Sequence, residues 1–251
     1  MRLGTTEAPG GIIRRMAAPL LFVPGFMQPA RAWAPVVEAL GGRTDTRVLE
    51  HAEHTFDGRL AELAAEGRGA VLVGYSLGGR LALRAALREP DRYAGLVTVG
   101  ATAGIDDPAT RSARAEADDR LASWMETAAI DDIVAVWERQ PLFADQSEAL
   151  VEAQRPGRLA QDPRRLGALL RTAGQGVLEP VWHELLTFEL PLLAIAGARD
   201  EGYSAAARRI ADTAPRGRAA LVENAGHAPQ LQRPDAVALL LADFLDQDVG
   251  Q

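Results

Sequence analysis

The stretch Ala70-Val71-Leu72-Val73-Gly74-Tyr75-Ser76-Leu77-Gly78-Gly79-Arg80-Leu81-Ala82-Leu83 constrains this chain more than any other. Its first four residues are apolar and largely β-branched, which predicts a buried strand. The run stops at a glycine, and Leu77, Leu81, Ala85 and Leu87 then recur with arginines between them, the period of an amphipathic helix. Between strand and helix sits G-x-S-x-G. A serine there occupies a turn so tight that glycines are needed two residues to either side. The hydroxyl is pushed out above the sheet, and the next backbone N–H lies at a helix N-terminus, where negative charge is favoured.

Other apolar runs set the context. Leu20–Val23, Thr46–Leu49, Gly95–Gly100, Pro191–Gly197 and Ala219–Val222 read as further strands. Helical periods fall between them, near Ala32–Leu40, Leu60–Ala64, Ala205–Thr213 and Asp235–Leu245. Gly11-Ile12-Ile13 could add a short edge strand. Strand–helix alternation predicts an α/β fold with a mostly parallel sheet covered on both faces. From Gly104 to Leu186 strands disappear and helices succeed one another at Ala109–Thr127, Ile130–Arg139, Ser147–Gln154 and Pro163–Ala173. The expectation is a core of residues 1–103 and 187–251 with a helical cap inserted at 104–186.

A serine hydroxyl needs an imidazole to take its proton, and the imidazole needs a carboxylate to hold its tautomer. Asp200 closes Ala196-Gly197-Ala198-Arg199-Asp200 directly after a strand, and His227 sits in Asn224-Ala225-Gly226-His227-Ala228-Pro229 after the last one. Ser76, Asp200 and His227 thus occur in the order expected of a triad at strand ends. The other histidine downstream, His183, falls within the helical insertion. The loop after the first strand would supply one oxyanion-hole N–H from Phe26, partnered by Leu77. A plain strand-ending Pro24-Gly25 turn is the simpler reading of that loop.

Composition narrows the partners. The 251 residues carry a net charge of −7, which disfavours nucleic acid or an anionic membrane surface as partner. No lysine occurs, so all 27 cations are arginines, and no cysteine occurs, which removes disulfide and thiolate chemistry. No secretory pattern opens the chain and no apolar run approaches a membrane span, so a cytoplasmic place is the expectation. In Glu50-His51-Ala52-Glu53-His54 two imidazoles and a carboxylate could chelate, but further ligands are missing. No metal or cofactor is expected, and that segment reads as a polar loop near the rim of the site.

Together these residues resemble the α/β-hydrolase superfamily over all the chain outside the insertion. A narrower resemblance is to the 2-succinyl-6-hydroxy-2,4-cyclohexadiene-1-carboxylate synthases of menaquinone biosynthesis, the MenH family. It rests on Gly74-Tyr75-Ser76-Leu77-Gly78-Gly79-Arg80-Leu81-Ala82-Leu83, on Gly104-Ile105 with Arg114, on Trp137-Glu138-Arg139-Gln140-Pro141-Leu142-Phe143, and on Arg158-Leu159-Ala160-Gln161-Asp162-Pro163. The resemblance implies that Tyr75, Arg80, Arg114, Trp137 and Arg158 bind substrate and that pyruvate is eliminated from a cyclohexene polycarboxylate. Guanidinium forks suit several carboxylates held in a water-poor pocket. Other readings stay open at this level: Arg114 on a charged helix face, Trp137 in the core of the insertion, Arg155 in place of Arg158. The chain departs from the family in two loops, with Pro24-Gly25 for H-G and Glu50–His54 for D-x-x-G-H-G-x-S. The rival activities are a carboxylesterase or carbon–carbon bond hydrolase acting through an acyl-enzyme on Ser76, or a non-catalytic ligand-binding protein.

Overall fold

A computed structural model describes residues 18–250. The strand suggested at Gly11–Ile13 lies outside them. Six strands form one sheet: β1 (Leu20–Val23), β2 (Thr46–Val48), β3 (Val71–Tyr75), β4 (Gly95–Val99), β5 (Leu192–Gly197) and β6 (Gly217–Val222). Their order is β2-β1-β3-β4-β5-β6, and every neighbouring pair is parallel. The central strands are buried on both sides, which is why they read as continuous apolar runs rather than alternating ones.

Alternate residues feed two cores. Leu21, Val23, Leu72, Leu96 and Ala194 pack with α2 (Phe56–Glu66), α3 (Leu77–Arg88) and, further along the chain, the helix Glu201–Thr213. Leu20, Phe22, Val71, Val97 and Ile195 pack on the opposite face against α1 (Ala34–Leu40) and the helix Pro234–Phe244. Trp33 and Phe22 meet there with ring centroids 4.8 Å apart.

Between β4 and β5 lie α4 (Pro108–Met125), α5 (Ile130–Glu138), α6 (Glu148–Leu159), α7 (Pro163–Ala173) and the single turn α8 (Trp182–Leu185). Met125, Ile133, Val134, Leu166 and Leu170 give this segment a small core of its own, which Met27 joins from the loop after β1. α6 runs five residues beyond the expected end at Gln154, through Pro156. Its last turn is held by Arg158, whose Nη2 donates to Gln154 Oε1 within the helix at 2.9 Å and whose Nη1 donates to Glu138 Oε1 of α5 at 3.1 Å. After β5 come α9 (Glu201–Thr213), α10 (Pro229–Gln232) and α11 (Pro234–Phe244).

The arginines of α3 do not face solvent: every residue from Leu77 to Ala86 is buried, Arg80 and Arg84 included. The helical segment covers them. Arg84 Nη2 donates to the Glu179 carbonyl at 2.6 Å, and burial lowers its guanidinium pKa to about 10.

Candidate active site

The sheet reverses direction of growth at β1, whose neighbours are β2 and β3, and loops at the carboxyl ends of such strands border a crevice. Phe26 follows β1 there and Ser76 follows β3. Ser76 adopts φ 50 and ψ −110, a left-handed conformation costly for any residue but glycine. The turn survives because its flanks have no side chains. A Cβ on Gly74 would stand 2.3 Å from the Gly78 carbonyl oxygen, and one on Gly78 would stand 2.3 Å from that of Val23.

Ser76 Oγ lies 3.2 Å from His227 Nε2, and His227 Nδ1 lies 2.9 Å from Asp200 Oδ2. Asp200 is fixed from behind as the N-cap of α9, where its Oδ1 accepts from the Tyr203 amide at 3.1 Å. Aromatic rings surround the imidazole: centroids of Tyr203, Tyr75 and Phe143 stand 4.4, 5.5 and 6.1 Å away. Such a chain can pass the serine proton to an imidazole whose tautomer the carboxylate holds.

The crevice is a cavity of about 560 Å³, with Phe26, Tyr75, Ser76, Leu77, Arg80, Arg114, Trp137, Arg158, Asp200 and His227 all on its wall. Leu77 begins α3, so its amide has no partner within the helix. His183 and Arg155 are not on this wall. Arg155 instead lies 2.8 Å from Glu138 Oε2, half-exposed, so of the two arginines only Arg158 reaches the cavity.

The three cavity arginines differ in how their charge is met. Arg114 Nε donates to buried Asp118 Oδ1 at 2.9 Å. Arg158 shares Glu138 with Arg155, and its guanidinium stands 5.8 Å from the Phe143 ring centroid. Arg80 is 8 % exposed and has no carboxylate within ion-pairing distance among the described residues. Its Nη2 reaches the Ala173 carbonyl at 3.5 Å, and its Nε has no partner. Burial lowers the pKa of both Arg80 and Arg158. Burial likewise raises that of the Tyr75 phenol.

Two features escaped sequence reading. Tyr203 packs on His227 and lines the cavity, and the one available signal was its place one turn after Asp200. The Glu50–His54 loop was expected at the rim; the structure turns His51 inward, its Nδ1 2.6 Å from Glu62 Oε2. It does so because Glu62, in the second turn of α2, offers a carboxylate that also takes the Ala52 and Glu53 amides.

Comparison with known proteins fits this geometry. The sequence model of the alpha/beta hydrolase family matches residues 20–239. The chain belongs to the alpha/beta hydrolase family. Within that family it is 29 % identical over 243 residues to the 2-succinyl-6-hydroxy-2,4-cyclohexadiene-1-carboxylate synthase of Enterobacter sp. (strain 638), covering 90 % of this chain and 91 % of that one. A protein of Bacillus subtilis (strain 168), to which the same synthase name is provisionally attached, is 30 % identical over 177 residues, 69 % of this chain and 65 % of that one. Among solved structures, MenH from S. aureus superposes with a TM-score of 0.84 at 24 % identity, covering 94 % of this chain and 96 % of that one. An alpha/beta hydrolase of other chemistry, the enol-lactonase from Burkholderia xenovorans LB400, superposes with a TM-score of 0.73 at 20 % identity.

Proposed function

We propose that the chain is a lyase of the MenH type, eliminating pyruvate from 2-succinyl-5-enolpyruvyl-6-hydroxy-3-cyclohexene-1-carboxylate. The observation that carries this reading is Arg80. A buried guanidinium with no carboxylate at ion-pairing distance among the described residues, Asp118 acting on it only through space, is a costly arrangement. A carboxylated ligand in the cavity balances it, whereas a neutral ester leaves it unbalanced. Arg114 and Arg158 extend the same preference to further carboxylates, and Tyr75 and Trp137 supply the apolar and phenolic wall. The names of the relatives in Enterobacter and S. aureus point the same way.

In this mechanism His227, oriented by Asp200, takes the Ser76 proton, and the serine oxygen removes a proton from the cyclohexene ring. The C–H electron pair becomes the new conjugated double bond. The C–O bond to the enolpyruvyl group breaks, and the departing enolpyruvate gains a proton at carbon to become pyruvate. Negative charge that builds on the conjugated carbonyl is met by the amides of Phe26 and Leu77. Residues 104–186 act as the cap that keeps water out, and no acyl-enzyme forms. The reading carries with it a small polycarboxylate as ligand, a cytoplasmic place and no bound cofactor. No helix among the described residues is long and apolar enough to cross a membrane.

The test is pyruvate release from the cyclohexene precursor by wild type, Ser76→Ala and Arg80→Met. Release that collapses in both variants supports the lyase. Should wild type release none yet cleave small activated esters in a Ser76-dependent way, the lyase reading fails and the acyl-enzyme hydrolase replaces it.

A further inference from the structure

The two loops in which the chain departs from the MenH pattern meet at one place. Pro24, Gly25, Glu50 and His51 all line a second cavity, of about 210 Å³, which shares Gln28 and Leu169 with the main one. Its polar wall is unusual. The His51 side chain is only 5 % exposed, and Nε2 is buried with no partner among the described residues. Its other nitrogen is committed: Nδ1 stands 2.6 Å from Glu62 Oε2, while Glu62 Oε1 accepts from the Ala52 and Glu53 amides at 2.8 and 2.9 Å. With Glu62 ionised, Nδ1 carries the proton and Nε2 keeps a lone pair. Burial, aided by the Arg59 charge, lowers the His51 pKa to about 4, so that lone pair persists at neutral pH.

Arg59 lies on the same wall. Its Nε donates to the Glu53 carbonyl at 3.0 Å, which leaves the outer guanidinium nitrogens. Glu62 acts on Arg59 through space, but its oxygens are already taken. The wall therefore pairs a cation with spare donors and buried acceptors that no donor among the described residues meets, His51 Nε2 and Gln28 Oε1. A carboxylate alone would answer the first and crowd the second. A hydroxyl beside a carboxylate answers both.

We propose that this cavity is a second binding site that takes a hydroxycarboxylate group, the carboxylate on Arg59 and the hydroxyl hydrogen on His51 Nε2. The group belongs either to an arm of the main-cavity ligand reaching past Gln28 or to a separate small hydroxy acid. Occupancy buttresses the Pro24–Gln28 turn, which is closed by the Gln28 amide donating to the Gly25 carbonyl at 3.3 Å and which carries Phe26. The site does not rest on the lyase reading.

The experiment is an amide-shift titration of the full-length protein with lactate and, separately, with propionate, which lacks the hydroxyl. Lactate is expected to shift the amides of Met27, Gln28 and His51 and to bind about fivefold more tightly than propionate. Arg59→Gln weakens lactate about tenfold, and His51→Phe removes the preference for lactate. The arginine variant keeps the test readable should the buried phenylalanine prevent folding. Adding the cyclohexene precursor to Ser76→Ala, at a concentration that shifts the Leu77 amide in the main cavity, separates the sources: displaced lactate identifies an arm of the same ligand, and unchanged lactate affinity identifies a separate molecule. No shifts at tens of millimolar, or equal shifts from both acids that Arg59→Gln leaves unmoved, would mean that the cavity holds ordered water only and would overturn the proposal.

Discussion

Replacing Arg80 by methionine should make the protein more stable and nearly inactive at once. Methionine keeps the apolar stem that packs beneath α7 and removes only the charge. What is lost on the folding side is one long contact to the Ala173 carbonyl, 3.5 Å, and the through-space attraction of Asp118, from a guanidinium that makes no ion pair among the described residues. Burying an ion without its counter-ion costs several kcal/mol, part of which the polar cavity relieves, so the net gain is about 1–2 kcal/mol. At about 2–4 °C per kcal/mol for a chain of this size, Tm rises by roughly 2–8 °C. On the functional side, losing one partner of a desolvated ion pair costs about 3–5 kcal/mol. That corresponds to a fall of roughly 150- to 5,000-fold in kcat/KM for pyruvate release. The neighbouring arginines supply the control. Arg114→Met takes the ion-pair partner from buried Asp118, leaving it one long bond from the Gly176 amide, and should cost about 2 kcal/mol of stability. Arg158→Met leaves Glu138 still held by Arg155 at 2.8 Å and should cost less. Denaturant unfolding and initial rates on the same preparations decide the matter. An Arg80→Met protein that is less stable by 1 kcal/mol or more and still active would refute the reasoning, because Arg80 would then be part of the framework.

Three further outcomes are expected. Ser76→Gly relieves the backbone at φ 50 and should stabilise the fold by about 1 kcal/mol while abolishing turnover, which calorimetry beside the pyruvate assay would read. Gly78→Ala would bring a methyl to 2.3 Å from the Val23 carbonyl and should cost about 3 kcal/mol or more; a urea midpoint within error of wild type would contradict that. His51, lowered from 6.5 to about 4, binds its proton less readily folded than unfolded, so stability is present above pH 6.5 and is lost as pH falls toward 4. The loss is about 3 kcal/mol over that window, and His51→Gln should flatten the unfolding free energy measured from pH 7 to 4.

Much of this protein was legible before any coordinates. The four inner strands, β1, β3, β4 and β5, were marked by apolar runs, because a strand in the middle of a parallel sheet is covered on both faces and tolerates little else, whereas the edge strand β2 carries Thr46 and Arg47. The G-x-S-x-G turn was legible because sterics there admit few residues. Ser76, Asp200 and His227 stood at the ends of three strands, β3, β5 and β6, in an order that the fold's connectivity converts into proximity. The path of α6 through Pro156 was not legible, since a proline's cost is local and what offsets it, Arg158 against Glu138, comes from another helix.

The remaining decisions belonged to tertiary structure. Periodicity showed that Arg80 and Arg84 share a face of α3, but only the docking of residues 104–186 made that face an interior one. The fold of that segment turned Arg158 rather than Arg155 to the cavity, and the docking of α9 beside the loop after β6 set Tyr203 against the imidazole of His227. His51 became a buried acceptor rather than a rim residue once α2 presented Glu62 to it. Local sequence determines which backbone conformations and which apolar faces are affordable. Whether a charge keeps its water, and therefore what it demands of a ligand, depends on which distant segment comes to lie over it.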